Sequence, residues 1–115
     1  MVHYGLALFL LMVGFHFIAD FPLQGDFLAK GKAGLLDTPE CKVSPWCLIA
    51  HGAIHGLFVG MTTATIEFGM AEFICHTMID LFKIKKKISF NTDQYLHIFC
   101  KAVWAFCAVY ALHSA

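Results

Sequence analysis

Glu72-Phe-Ile-Cys-His76-Thr-Met-Ile-Asp80-Leu-Phe-Lys83 sets an acid, an imidazole and a second acid at four-residue intervals inside an otherwise apolar run. On a helix each such step advances the side chain by roughly 40°, so Glu72, His76 and Asp80 form one polar stripe. A stripe of ionisable groups in apolar surroundings costs free energy unless something compensates it. The chain supplies compensating segments: His16-xxx-Asp20-xxx-Gln24, His51-xxx-His55 and Asp93-Gln94-xx-His97-xxx-Lys101. The expectation is an all-α, polytopic four-transmembrane-helix bundle whose stripes face one another around metal.

Composition points the same way. The 115 residues correspond to one domain by length, and 59% of them are hydrophobic against 14% charged, with a mean hydropathy of +0.71. A water-soluble fold of this size could not hide that much apolar surface, which places the chain in the membrane class. The five cysteines form no CxxC pair and read as reduced thiols. The opening apolar run has no basic leader, and it carries His16 and Asp20 where a signal peptide would have small residues. It is expected to be a retained first helix. No P-loop, GxSxG, dinucleotide fingerprint or internal repeat is found. The lysines from Lys83 to Lys87 sit beside a span, where topology and anionic lipid explain them, so no nucleic-acid partner is expected.

Taken in order, the spans are expected at about 4–23, 45–65, 67–84 and 92–112, with connectors at 25–44 and 85–91. Pro22 and Gly25-Asp26 interrupt the first. The 25–44 connector is too mixed to span, with a short amphipathic turn at the membrane surface through Phe27, Leu28, Leu35 and Leu36. Ser44 is expected as N-cap with Pro45 at the first helical position, and Asn91 or Thr92 as the cap of the last span. Trp46 reads as an interfacial anchor. Gly52, Gly56 and Gly60 repeat at a spacing that lets a neighbouring backbone approach beside the histidine row. Seven of the eight basic residues, all lysines, lie in or beside the two connectors. The positive-inside rule therefore places both connectors in the cytoplasm, giving an N-out/C-out topology. All four polar sets then fall in the cytoplasmic half.

Every expected span carries a histidine, and three pair it with a carboxylate one turn away. Imidazole and carboxylate suit zinc, manganese and iron. His16, Asp20, His51, His55, His76, Asp80 and His97 are candidate metal ligands. They outnumber the needs of one tetrahedral ion, so one or two divalent ions are expected, zinc or manganese first. Glu72, a turn deeper, is a candidate proton acceptor or orienting group. Lys101 is a candidate to neutralise Glu72 or to hold an anionic group. Gln24, Lys83, Asp93 and Gln94 are expected to surround the ligands.

The motifs H-xxx-D-F-xx-Q (His16, Asp20, Phe21, Gln24), H-xxx-H (His51, His55), H-xxx-D-xx-K (His76, Asp80, Lys83) and D-Q-xx-H (Asp93, Gln94, His97) resemble those of a small membrane-protein family of unknown function from bacteria and their phages. The chain is more distantly similar to membrane-bound metal-dependent hydrolases, although it has no clear counterpart of their N-terminal His-rich motif. The resemblance implies a fold and a site more than a reaction. The expected function is a metal-dependent hydrolase of the bacterial inner membrane, multi-pass, acting at the cytoplasmic face on a phosphorylated lipid or amphiphile. Its partners would be the lipid bilayer, a lipid-phosphate substrate, and a second copy or another membrane protein. Two alternatives stand beside it. One is a non-enzymatic module, phage-encoded and acting on a host membrane partner, whose His/Asp network is structural. The other is a haem-binding electron-transfer protein, which would need neither Asp20 nor Asp80.

Overall fold

Five helices make up the computed structural model, which describes residues 1–114: α1 (Val2–Asp20), α2 (Gly25–Lys32), α3 (Ser44–Thr63), α4 (Ile66–Ile84) and α5 (Phe90–Ser114). The architecture is all-α. α3 and α4 form an antiparallel hairpin, α1 packs on α3 and α5, α4 packs on α5, and α2 lies against α3.

The helix ends follow local chemistry. α1 stops at Asp20, three residues short of the expected boundary, because Pro22 has no N–H for the carbonyl of Ile18. Leu23 N–H takes that carbonyl instead, at 3.1 Å. Gly25 then turns the chain with φ +62°, a conformation that costs glycine little. The following segment, expected to hold only a short surface turn, winds into the eight residues of α2. Ser44 does not cap α3 but is its first residue. The cap comes from Asp37, whose Oδ1 accepts the N–H groups of Val43 (2.8 Å) and Ser44 (2.9 Å) and whose Oδ2 accepts the Ser44 hydroxyl at 2.6 Å. A carboxylate there also suits the positive helix end. α5 begins at Phe90, earlier than expected, because Ser89 Oγ accepts the Thr92 N–H at 3.1 Å.

Burial is inverted relative to a soluble protein. Among the described residues six hydrophobic side chains are buried, against eleven polar or charged ones. Leu10, Leu57, Met61, Met70, Ile74, Phe99 and Phe106 face outward. A fold that turns its apolar side chains out and its charges in is matched to an apolar surrounding. α1, α3 and α5 are long and apolar enough to cross a membrane. α4 was expected as a fourth such span. It has 19 residues, about 28 Å of helix, but Glu67, Glu72, Asp80 and Lys83 lower its apolar character. Glu72 and Asp80 are buried, so these charges load the interior and not the exterior.

The interior divides along the long axis of a 52 × 25 × 22 Å body. Leu8, Met12, Val59 and Ala105, with Phe9, Phe68, Trp104 and Ala108 against them, fill one half. The other half holds the polar stripes, gathered from the end of α1, the start of α3, the end of α4 and the start of α5. Glycines set the α3–α4 distance. A Cβ on Gly56 would lie 2.7 Å from the Gly69 carbonyl oxygen, and one on Gly69 would lie 2.8 Å from that of Gly56. Both obstacles are backbone and cannot swing aside.

Gly56→Ala and Gly69→Ala are therefore each expected to destabilise the fold by about 1–3 kcal/mol, read from denaturant unfolding in detergent. Gly14, where a Cβ meets no atom within 4 Å, is the control position and Gly14→Ala should be near neutral. A second expectation concerns Asp37. Its bonds with Ser44 hold the carboxyl below its ordinary value of 3.8. A depressed folded-state value means that this contribution is present above that ordinary value and is lost as pH falls through the folded one. The Tm difference between wild type and Asp37→Ala should thus be full at neutral pH and should shrink as acidification protonates the folded carboxyl.

Candidate metal centre

Two carboxylates, Asp20 at the end of α1 and Asp80 near the end of α4, collect the nitrogens of the polar half. Asp20 Oδ1 lies 2.8 Å from His55 Nε2 and 3.2 Å from His51 Nε2, both on α3. Asp20 Oδ2 accepts the Gln94 side-chain amide at 3.0 Å and lies 3.3 Å from His16 Nε2. Asp80 Oδ1 lies 3.2 Å from His97 Nε2 on α5. Asp80 Oδ2 accepts from Lys32 Nζ on α2 at 2.8 Å, with His51 Nε2 at 3.5 Å and His76 Nε2 at 3.6 Å.

The imidazoles are packed on one another between these acids. His76 stacks on His55 at 3.6 Å between ring centroids and on His97 at 4.0 Å. His16, His51, His55, His76 and His97 are each at most 1% exposed. Several of their nitrogens are close to an acid without being aimed at it. His51 Nε2 is near Asp20, and His76 Nδ1 is 3.4 Å from Glu72 Oε1, yet both ring nitrogens of His51 and of His76 lack a hydrogen-bond partner. A buried polar atom left unpaired costs about 1–3 kcal/mol. Such atoms converging on one point are what a metal ion would satisfy.

Two ligand groups emerge, Asp20–His51–His55–His76 and His76–Asp80–His97, with the ligand atoms of each within 4.8 Å of one another. Tetrahedral zinc at about 2.0–2.1 Å from each ligand separates its ligands by about 3.3 Å, so modest rotamer adjustment closes either group. The donor set is nitrogen and carboxylate oxygen, as expected for zinc, manganese or iron. These residues fit a divalent cation.

Other expected site residues have more varied positions. His16 lies outside both groups. It bonds Gln94 Oε1 at 3.1 Å and flanks Asp20, so it helps orient that carboxylate. Gln24 does not reach the acids, and its amide donates to the Asp20 backbone carbonyl at 3.2 Å. Asp93 is buried between His97 Nε2 (3.3 Å from Oδ1) and Lys83 Nζ (3.3 Å from Oδ2), and Gln94 donates to its Oδ2 at 3.2 Å. Glu72 and Lys101 form a buried ion pair one turn deeper, with Glu72 Oε2 accepting the Trp104 indole N–H at 2.6 Å.

Sequence reasoning missed two participants. Lys32 was counted only as connector charge, and nothing in its neighbourhood marks it as buried. Trp104 lies three residues after Lys101 and so shares its helix face, which was a usable signal.

Residues 7–114 match the family described as "Protein of unknown function (DUF3307)". The chain belongs to this family. No curated protein and no solved structure matches it. Membership of DUF3307 extends over all four polar stripes but assigns no reaction to them.

The Glu72–Lys101 pair provides a test of that packing. Lys101→Met should destabilise the protein by about 3–5 kcal/mol, because it leaves the Glu72 carboxylate buried without its cation. The double variant Glu72→Gln, Lys101→Met should recover most of the loss, read as the unfolding midpoint in a denaturing detergent titration.

Proposed function

We propose that this DUF3307 chain crosses the bacterial cytoplasmic membrane four times, with α2 and the α4–α5 connector on the cytoplasmic side, and that its polar half holds one or two divalent ions. The observation carrying this reading is the pair of buried ligand groups that share His76 and contain unpartnered imidazole nitrogens. The membrane placement draws support from three apolar spans, an outward-facing apolar surface, and the concentration of lysines at one end. α4 would cross with Glu72 and Asp80 turned inward and with Glu67 and Lys83 near its two ends.

The reaction class we favour is metal-dependent hydrolysis of a phosphorylated amphiphile at the cytoplasmic face. A bound divalent ion supplies Lewis acidity and lowers the pKa of a bound water. The chain's own residues do the rest. Asp20 and Asp80 would join the imidazoles in holding the ion, Gln94 and His16 fix Asp20, and the apolar half beyond Glu72 excludes water from one side. Glu72 is held by Lys101 and Trp104 and sits beside His76 Nδ1, where it can orient that ring.

A purely structural network is the second reading, favoured by the fact that Asp20, Glu72, Asp80 and Asp93 each already have a nitrogen partner. The haem alternative is not carried forward. The stacking of His76 between His55 and His97 leaves no slot for a flat macrocycle.

Elemental analysis of purified protein, loaded with zinc or manganese and freed of excess ion, separates the two. About one or two equivalents per chain are expected. His76→Ala should remove most of the bound ion, since both groups use it. His16→Ala should keep the stoichiometry with about 10–100-fold weaker affinity. A folded wild-type protein that takes up no ion would leave the structural reading standing.

A further inference from the structure

Two lysines stand between the ligand groups and the connector end of the molecule. Gly31 brings α2 against the start of α3, where a Cβ on it would come 3.1 Å from Cys47 Cβ. That contact carries the next residue, Lys32, into the interior, where its side chain is 6% exposed and its Nζ reaches Asp80. Lys83, at the last turn of α4, is more open, with a side chain 26% exposed, a bond to Asp93 and a place over the Phe90 ring at 5.7 Å. Burying one lysine and half-burying another beside a row of imidazoles is unfavourable unless their charge is used.

Charge bookkeeping shows what that use would be. Lys101 and Glu72 cancel. Asp20, Asp80 and Asp93 remain against Lys32 and Lys83, an excess of one negative charge with neutral imidazoles. One divalent cation reverses the sign, and two leave an excess of three positive charges. When Asp80 turns to a cation, Lys32 also loses its one carboxylate partner among the described residues. A loaded site is then a buried cationic pocket with the Lys32 ammonium freed on its outer side, while Lys83 keeps Asp93. Such a pocket favours an anion, and a hydroxide has a single oxygen to share between ion and ammonium. A phosphate has several anionic oxygens and can meet an ion and an ammonium group at once, because ammonium groups bind it as point charges.

We propose that Lys32 and Lys83 form the anion-receiving mouth of the metal centre and that its ligand is a terminal phosphate group, the chemistry shared by free phosphate and a phosphate monoester. This rests on the metal reading above and adds to it the side chains that would receive the phosphate. The same group could arrive as free phosphate or as the headgroup of phosphatidic acid.

The test uses full-length protein in phosphatidylcholine nanodiscs, zinc-loaded or metal-free. Inorganic phosphate is titrated by calorimetry, and a second arm adds phosphatidic acid to the nanodisc. Zinc-loaded protein is expected to bind phosphate and metal-free protein to bind at least tenfold more weakly. Competition by phosphatidic acid would assign the headgroup as a source, and its absence would assign the free anion. Lys32→Gln should lose at least tenfold in phosphate affinity while retaining zinc, and Lys32→Arg should restore most of it. If Lys32→Gln fails to hold zinc, Lys83→Gln at the more open position decides by the same readout. Protein that holds zinc but binds neither phosphate nor phosphatidic acid overturns the proposal and leaves the metal centre intact. Protein that holds no zinc overturns both.

Discussion

Asp20 and Asp80 tie all five helices together. Asp80, on α4, draws Lys32 from α2, His51 from α3 and His97 from α5. Asp20 ends α1 and gathers His51 and His55 from α3 and Gln94 from α5. A carboxylate inside an apolar exterior cannot go unpartnered, so each of these contacts constrains where a helix may lie. In an apolar surrounding, helices gain little from packing apolar faces against one another. Close backbone packing and polar contacts must fix their arrangement instead. Gly56 against Gly69 supplies the first for α3 and α4, and the two aspartates supply the second for the rest.

The two halves of the interior differ in what they specify. Leu8, Met12, Val59 and Ala105 fill space and tolerate sliding, since apolar contacts have no direction. The polar half does not slide. A one-residue shift of α5 would rotate His97 about 100° away from Asp80 and take Lys101 from Glu72 at the same time. Glu72, Lys101 and Trp104 stand where the halves meet, so the deepest charge in the protein is also the one with a neutralising ion pair and an indole donor.

Much of this was legible in the sequence because it depends on helical periodicity. The four-residue spacing of Glu72, His76 and Asp80, of His16 and Asp20, and of His51 and His55 sets their faces regardless of what packs nearby. Those faces do meet. The course of the chain near each helix end was less legible. Asp37 caps α3 across seven residues, and Leu23 rescues a carbonyl that Pro22 cannot reach. Such solutions depend on loop geometry and carry no period. Lys32 was hidden for a related reason. In a basic connector one lysine looks like the next, and only the approach of Gly31 to Cys47 separates Lys32 from the exposed Lys30. His16 shows a further limit, because spacing gives a face but not a partner. It shares the face of the ligands yet bonds Gln94 and leaves both groups complete without it.

Stability alone does not account for the cluster. Replacing a buried ionic network with well-packed apolar side chains is often neutral or stabilising, so a bundle selected only to stay assembled would have no need of five clustered imidazoles. The unpartnered nitrogens of His51 and His76 sharpen the point. A network built for structure would close its hydrogen bonds, as Glu72 does through Lys101 and Trp104. The same interior thus holds one polar group that is finished and another left open, a turn apart on α4. The finished one fixes the helices, and the open one has donor atoms to spare for a species that is not part of the chain.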